Sequence, residues 1–148
     1  MIFVTVGSLG KFDELIMKVD KLVKNGKILK KTIIQIGNST SIPEYCDWFR
    51  FDNEIMDYYK KAEFVISHEG AGTLFELLRL KKRIISVTNN NTVYNPDLVE
   101  VLSMRKHLLY CKDSNDLEIY IDKIKYVNLL EYQSPKCNIH NYINDFLN

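Results

Sequence analysis

The run Ser67-His68-Glu69-Gly70-Ala71-Gly72-Thr73 carries most of the chemistry that can be read from this chain. It follows the apolar stretch Phe64-Val65-Ile66 and precedes Leu74, Phe75, Leu77 and Leu78, so it reads as a strand-to-helix turn. Glycines let a backbone approach an anion closely, and the free N–H groups of a starting helix favour a phosphate. A second glycine turn, Gly7-Ser8-Leu9-Gly10, follows another apolar stretch at residues 2–6. Two such turns facing one crevice suit a diphosphate better than either alone. The plainer reading, that glycine merely makes tight turns, weighs more for the first loop than for the second. Neither turn is a dinucleotide fingerprint. Gly7 and Gly10 lack a third glycine, and Asp20 falls inside the first helix rather than after a second strand. No GxxxxGK[ST] occurs, which excludes a P-loop NTPase.

Two further side chains belong to this neighbourhood. Glu76 lies three residues after Thr73, where a carboxylate can accept both hydroxyls of a ribose; a first-turn Glu favoured by the helix dipole is the alternative. His68, at the strand end, can donate to a phosphate or sugar oxygen. A hydrogen-bonded core histidine is an equally good reading of the same residue.

The elements that must hold these groups alternate along the chain. Strands are expected at residues 2–6, 32–37, 48–51, 64–67, 84–87 and 108–111, each a short β-branched or aromatic run. Between the first two, Phe12, Leu15, Ile16, Val19, Leu22 and Val23 form the apolar stripe of a helix. Asp13 and Glu14 open it and Asn25-Gly26 close it. Lys18, Lys21 and Lys24 lie off the stripe as a solvated face. Asp52 or Asn53 is expected to cap a helix carrying Ile55, Met56, Tyr59 and Ala62. Asn95-Pro96 reads as an N-cap followed by proline at the first helical position, and Ser114 as the start of a long helix through Leu117, Ile121 and Ile124. After Pro135, the residues Tyr142, Ile143, Phe146 and Leu147 suggest a short amphipathic helix, packed on this domain or meeting a partner. The alternation predicts an α/β fold with a doubly wound parallel sheet, Rossmann-like, as one domain over residues 1–148.

Composition narrows the function. The chain has 148 residues, and a single domain usually runs about 100–150. Twenty Lys and Arg against nineteen Asp and Glu leave a formal charge of +1, which argues against nucleic acid as a partner. The three cysteines have neither zinc nor disulfide-framework spacing, so no metal site and no cofactor is expected. With no run near the ~20 apolar residues of a membrane span and no basic leader, a reduced, soluble, cytoplasmic protein is expected.

The segments Phe3-Val4-Thr5-Val6-Gly7-Ser8, Phe12-Asp13-Glu14-Leu15-Ile16, Ile34-Gln35-Ile36-Gly37, residues 65–73 with Glu76 and Leu78, and His107-Leu108-Leu109-Tyr110-Cys111 together resemble a known family. They are similar to the soluble catalytic subunits of dolichol-linked UDP-N-acetylglucosamine transferases, relatives of the carboxyl half of glycosyltransferase family 28. The resemblance covers roughly residues 2–111. It implies the donor half of a GT-B glycosyltransferase, with Gly70, Ala71, Gly72 and Thr73 on the diphosphate of UDP-GlcNAc and Glu76 on its ribose. Gly7 and Ser8 map to the facing phosphate loop, His68 to the catalytic position, and Asn95 and Asp97 to the sugar. The implied reaction adds GlcNAc to a lipid-diphosphate-GlcNAc acceptor, GlcNAc-diphosphodolichol, by inversion and without a metal. It also implies a membrane-anchored partner that recruits the chain to the cytosolic face of the endoplasmic reticulum. A bacterial-type polysaccharide transferase subunit using another UDP-sugar, and a non-catalytic nucleotide-sugar-binding module, are the alternatives. The chain departs from the family at Glu69, where a small residue is usual, and at Pro96, where a histidine is usual. A carboxylate at position 69 is compatible with a diphosphate only if it points away.

Overall fold

Parallel strands buried on both faces need near-continuous apolar runs, and the four central strands have them. The computed structural model describes residues 1–8, 10–92 and 97–135. Six strands form one sheet: β1 (Ile2–Thr5), β2 (Thr32–Gln35), β3 (Asp47–Phe49), β4 (Phe64–Ser67), β5 (Arg83–Val87) and β6 (Leu109–Cys111). Their order is β3-β2-β1-β4-β5-β6 and every pairing is parallel. The chain winds one way from β1 to β3, then crosses back to β4 and winds the other way. Strands β1 and β4 therefore flank the switch point, where a crevice opens at the carboxyl ends.

Side-chain alternation assigns the two faces. Ile2, Val4, Ile34, Ile66, Ile85 and Cys111 face α1 (Asp13–Lys24) and α5 (Leu117–Ile124). Phe3, Val65 and Ile84 face the other way, against α2 (Ile55–Lys61), α3 (Ala71–Arg79) and α4 (Asp97–Met104). At the carboxyl ends this second face turns polar. Gln35, Thr5, Ser67, Ser86 and Tyr110 stand in one register row across five strands. Thr5 Oγ1 donates to Gln35 Oε1 at 2.6 Å and accepts the Gly7 N–H at 3.3 Å, so the row leads directly into the loop after β1.

Several boundaries differ from the sequence reading, each for a local reason. Strand β3 ends before Arg50, whose guanidinium turns inward to donate to the Gly37 and Ser39 carbonyls at 3.0 Å each. Glu54, rather than Asp52 or Asn53, stands at the N-cap of α2, and no side chain there makes a capping bond; Asp52 instead accepts the Glu54 N–H and the Tyr58 hydroxyl. The segment at Ser114 begins as a 3-10 turn, Ser114–Asp116, because the Asp113 carboxylate accepts the Asn115 N–H at 2.8 Å. Asn25 and Gly26, the latter at φ +68°, close α1 as expected. Asn95, Pro96 and the tail from residue 136 lie outside the described residues.

The loop between β2 and β3 is fastened to α1 and to the loop before it. Ser39 Oγ accepts the Phe12 N–H at 2.9 Å, and Asn38 donates to the Ser8 carbonyl at 2.8 Å. Buried Asp20, the acid inside the first helix, accepts the Glu44 and Tyr45 N–H groups and so has a structural task.

Candidate functional site

The crevice at the switch point is a cleft of about 280 Å³ lined by Gly7, Ser8, His68, Gly70, Ala71, Gly72 and Thr73. All seven were expected from the sequence to share a ligand. Helix α3 opens into this cleft. Its N-cap, Gly70, is extended at φ −66° and ψ 117°, and no side chain caps the helix. Ala71 and Gly72 are exposed, and a Cβ on Gly72 would meet nothing within 4 Å. The first N–H groups of α3 are thus available to a ligand oxygen, at the end of the helix that favours negative charge.

His68 forms the floor. It is 6% exposed, and its imidazole lies between two glycine backbones. A Cβ on Gly7 would fall 2.5 Å from His68 Cε1, and one on Gly70 would fall 2.1 Å from Nε2. Gly7 adds a φ of +75°, which L side chains rarely adopt. The glycines therefore serve a purpose the sequence did not reveal: they make room for the histidine ring. Burial pushes the His68 pKa below its usual value, with a hydrogen bond to the Thr5 backbone acting the other way. Near pH 7 the ring is neutral, so its one N–H is the group that bonds the Thr5 carbonyl and its other nitrogen is an acceptor.

Of the other expected residues, Glu76 lies exposed on α3 one turn beyond Thr73, outside the cleft lining. Tyr59, 2% exposed, reaches from α2 to the Thr73 and Thr5 side chains beneath the helix start. Burial and the Glu76 charge push its phenol up to about 12, although its hydrogen bonds to Thr73 and Thr5 act the other way. Asp97 is exposed at the start of α4, and Asn95 lies outside the described residues. Among the described residues, no three His, Cys, Asp or Glu side chains converge in a way that could hold a metal ion. No helix among them is long and apolar enough to cross a membrane.

Glu69 does point away from the glycine turn. Its carboxylate is held on the β5–β6 side by the Tyr110 hydroxyl at 2.7 Å and the Asn89 N–H at 3.4 Å, while the Thr88 hydroxyl donates to the Tyr110 oxygen at 2.9 Å and lies 3.3 Å from the carboxylate. Burial pushes the Tyr110 phenol up to about 12, with Glu69 adding to it and the Thr88 hydrogen bond opposing. Thr88, Asn89 and Tyr110 were not singled out from sequence as site residues. The Asn89-Asn90-Asn91-Thr92 cluster after the fifth strand was the available signal.

The sequence profile of the glycosyltransferase family 28 C-terminal domain matches residues 1–147. The chain belongs to that family. Among curated relatives, the human UDP-N-acetylglucosamine transferase subunit ALG13 is 35% identical over 123 residues, covering 74% of this chain and 11% of that protein. The UDP-N-acetylglucosamine–N-acetylmuramyl-(pentapeptide) pyrophosphoryl-undecaprenol N-acetylglucosamine transferase of Clostridium botulinum is 27% identical, covering 98% of this chain and 42% of the enzyme. The chain thus spans about a tenth of the human relative and under half of the bacterial one. An NMR structure of ALG13 superposes with a TM-score of 0.62 at 19% identity, covering 95% of this chain and 92% of that one. The crystal structure of the glycosyltransferase SnogD from Streptomyces nogalater gives 0.57 at 17% identity, covering 78% of this chain and 32% of SnogD. Both share the fold of this family 28 domain.

Two outcomes test the floor of the cleft. Gly70→Ala is expected to cost about 1–3 kcal/mol by overpacking, since its φ is ordinary and only the imidazole stands in the way. In a double-mutant cycle by urea unfolding, His68→Ala should remove most of that cost. Strict additivity of the two changes would show that the glycine and the ring do not meet. The second outcome concerns pH. With a folded value below the unfolded ~6.5, the unfolded chain binds more protons in that window, so stability rises with pH. Unfolding free energy should therefore fall as pH drops from about 7.5 to 5.5, and His68→Gln should flatten that slope. An unchanged slope in the variant would place the titration elsewhere.

Proposed function

We propose that this domain is the donor half of a UDP-GlcNAc-dependent glycosyltransferase. The observation that carries the reading is the open N-terminus of α3 facing the Gly7-Ser8 turn across a neutral, buried histidine, in a family 28 domain. In this reading the backbone N–H groups of Ala71 to Thr73 take the diphosphate, Gly7 and Ser8 close on it from the β1 side, and Glu76 accepts the ribose hydroxyls. His68 is assigned the catalytic position; with its one N–H given to the Thr5 carbonyl, the neutral ring meets the ligand as a hydrogen-bond acceptor for a sugar hydroxyl. Asn95 and Asp97 are assigned to the sugar. The acceptor in this reading is a lipid-diphosphate-GlcNAc of the dolichol type; the name of the human relative supports GlcNAc transfer, and that of the bacterial one supports a pyrophosphoryl-polyprenol acceptor.

The chemistry is a displacement at C1 of GlcNAc. The acceptor hydroxyl loses its proton as its oxygen bonds to C1, and the bond from C1 to UDP breaks with its electron pair leaving on the diphosphate. Inversion follows from one such attack on the face opposite UDP. Charge growing on the departing UDP is met by the oriented N–H groups of α3, a device that works without a metal ion. The base and the lipid-binding surface belong, in this reading, to a membrane-anchored partner that brings the chain to the cytosolic face of the endoplasmic reticulum.

Replacing Glu76 with Ala should weaken UDP-sugar binding by about 1–3 kcal/mol, the cost of a lost charged hydrogen-bond partner, while the exposed position leaves the melting temperature unchanged. Titration by calorimetry with EDTA present should still detect UDP binding, with amide protection at residues 70–73. A strict requirement for Mg²⁺ or Mn²⁺ would count against the metal-free reading, and a Glu76→Ala protein that binds normally would remove the ribose role. For the partner, the purified chain is expected to bind UDP-GlcNAc yet transfer no sugar to a GlcNAc-diphospho-lipid until membranes carrying the other half are added. Efficient transfer by the chain alone would overturn that division of labour.

A further inference from the structure

The turn after β1 is gripped at both ends by the short loop that follows β2, and that loop lines none of the cleft. Asn38 Nδ2 donates to the Ser8 carbonyl at 2.8 Å, and Ser39 Oγ accepts the Phe12 N–H at 2.9 Å. Gly37, at φ +52°, lies so close that a Cβ there would fall 2.5 Å from the Gly7 carbonyl oxygen. Residue 50 in turn holds the loop. The Arg50 carbonyl accepts the Gly37 N–H at 3.1 Å, while its guanidinium Nη1 donates to the Gly37 and Ser39 carbonyls at 3.0 Å each. Both carbonyl oxygens of the Gly7-Ser8 pair are therefore turned toward residues 37–38. In a trans peptide the N–H points opposite to the carbonyl, so the Ser8 N–H is directed away from that loop. A backbone N–H attracts a phosphate oxygen, whereas a carbonyl oxygen in the same place repels it.

We propose that Asn38 is a positioning residue for the anionic part of the ligand: its side-chain amide holds the Ser8 carbonyl off the cleft, so that the turn after β1 meets the diphosphate with an N–H group and not with a carbonyl oxygen. This rests on the reading of the cleft as a UDP-sugar site. Asn38 is absent from the cleft lining and acts through Ser8, which is part of it. The fold does not need the bond for its stability. Asn38 is exposed, Arg50 already fixes the loop, and water competes for both groups of an exposed hydrogen bond. Without the amide, the Ser8 carbonyl is released to face the ligand that α3 attracts. The loss should therefore fall on the diphosphate and spare the nucleoside.

The bond is made by a side chain, so substitution removes it cleanly. Asn38→Ala deletes the donor, and Asn38→Gln keeps it on a longer arm. Affinities for UDP and for uridine would be measured on the full chain by NMR titration, with the melting temperature alongside. The expected result for Asn38→Ala is an affinity for UDP lowered about fivefold, uridine unchanged within about twofold, and an unchanged melting temperature. The UDP-induced shift of the Ser8 amide should shrink, while those of residues 71–73 persist. Asn38→Gln should recover most of the UDP affinity. Equal losses for UDP and uridine, no loss for either, or a loss undiminished in Asn38→Gln would overturn the proposal. Failure of the wild-type chain to bind UDP would instead remove the reading of the cleft, a different and separable result.

Discussion

The contact on which the rest of the site depends is that of the His68 ring with the backbones of Gly7 and Gly70. β1 and β4 run side by side at the switch point, with Thr5 opposite Ser67 in register. The next residues on each strand must turn off in different directions, one toward α1 and the other toward α3. A bulky ring inserted where they part keeps the two turns at a fixed separation, and only glycine backbones leave space for it. Both turns that could hold a diphosphate are thus referenced to one side chain. Because that ring is buried and neutral, it adds rigidity without adding a charge that would compete with or trap the ligand.

The elements were legible for a reason that applies to parallel sheets in general. Strands covered on both faces must be apolar throughout, so residues 2–6 and 64–66 stand out without any alternation. Helix α1 was equally plain, since its apolar stripe, acidic start and Asn25-Gly26 stop all agree. Boundaries were lost where a side chain captures backbone groups near the end of an element. Arg50 ends β3 because carbonyls of the β2–β3 loop capture its guanidinium, and Asp113 tightens the turn before α5. In the site, residues that act through their own backbone were legible as motif: the turns at 7–8 and 70–73 were identified and they do face one cleft. Residues that act through partners were not. Glu69 looked like an obstacle to a diphosphate because it sits directly before the glycine turn. Its actual partners, Tyr110 and Asn89, lie 41 and 20 positions away. Likewise, the glycines could be read as room for a phosphate, and only the fold shows that they are also room for an imidazole.

Electrostatics explain why a nearly neutral chain is suited to this cleft. Among the described residues none of the side chains lining it is a lysine or arginine, so its attraction for an anion comes from helix α3 and from oriented N–H groups. Such dipoles act over one turn of helix and fade quickly beyond it. Mobile lysines would instead recruit any polyanion, and Lys11, close by in sequence, is exposed and absent from the lining. The one carboxylate adjacent to the glycine turn, Glu69, is turned toward β5 and β6, where the Tyr110 hydroxyl and the Asn89 N–H donate to it. On the proposed reading, affinity for a diphosphate therefore rests on backbone that the sheet and His68 hold rigid, without a charged side chain in the lining.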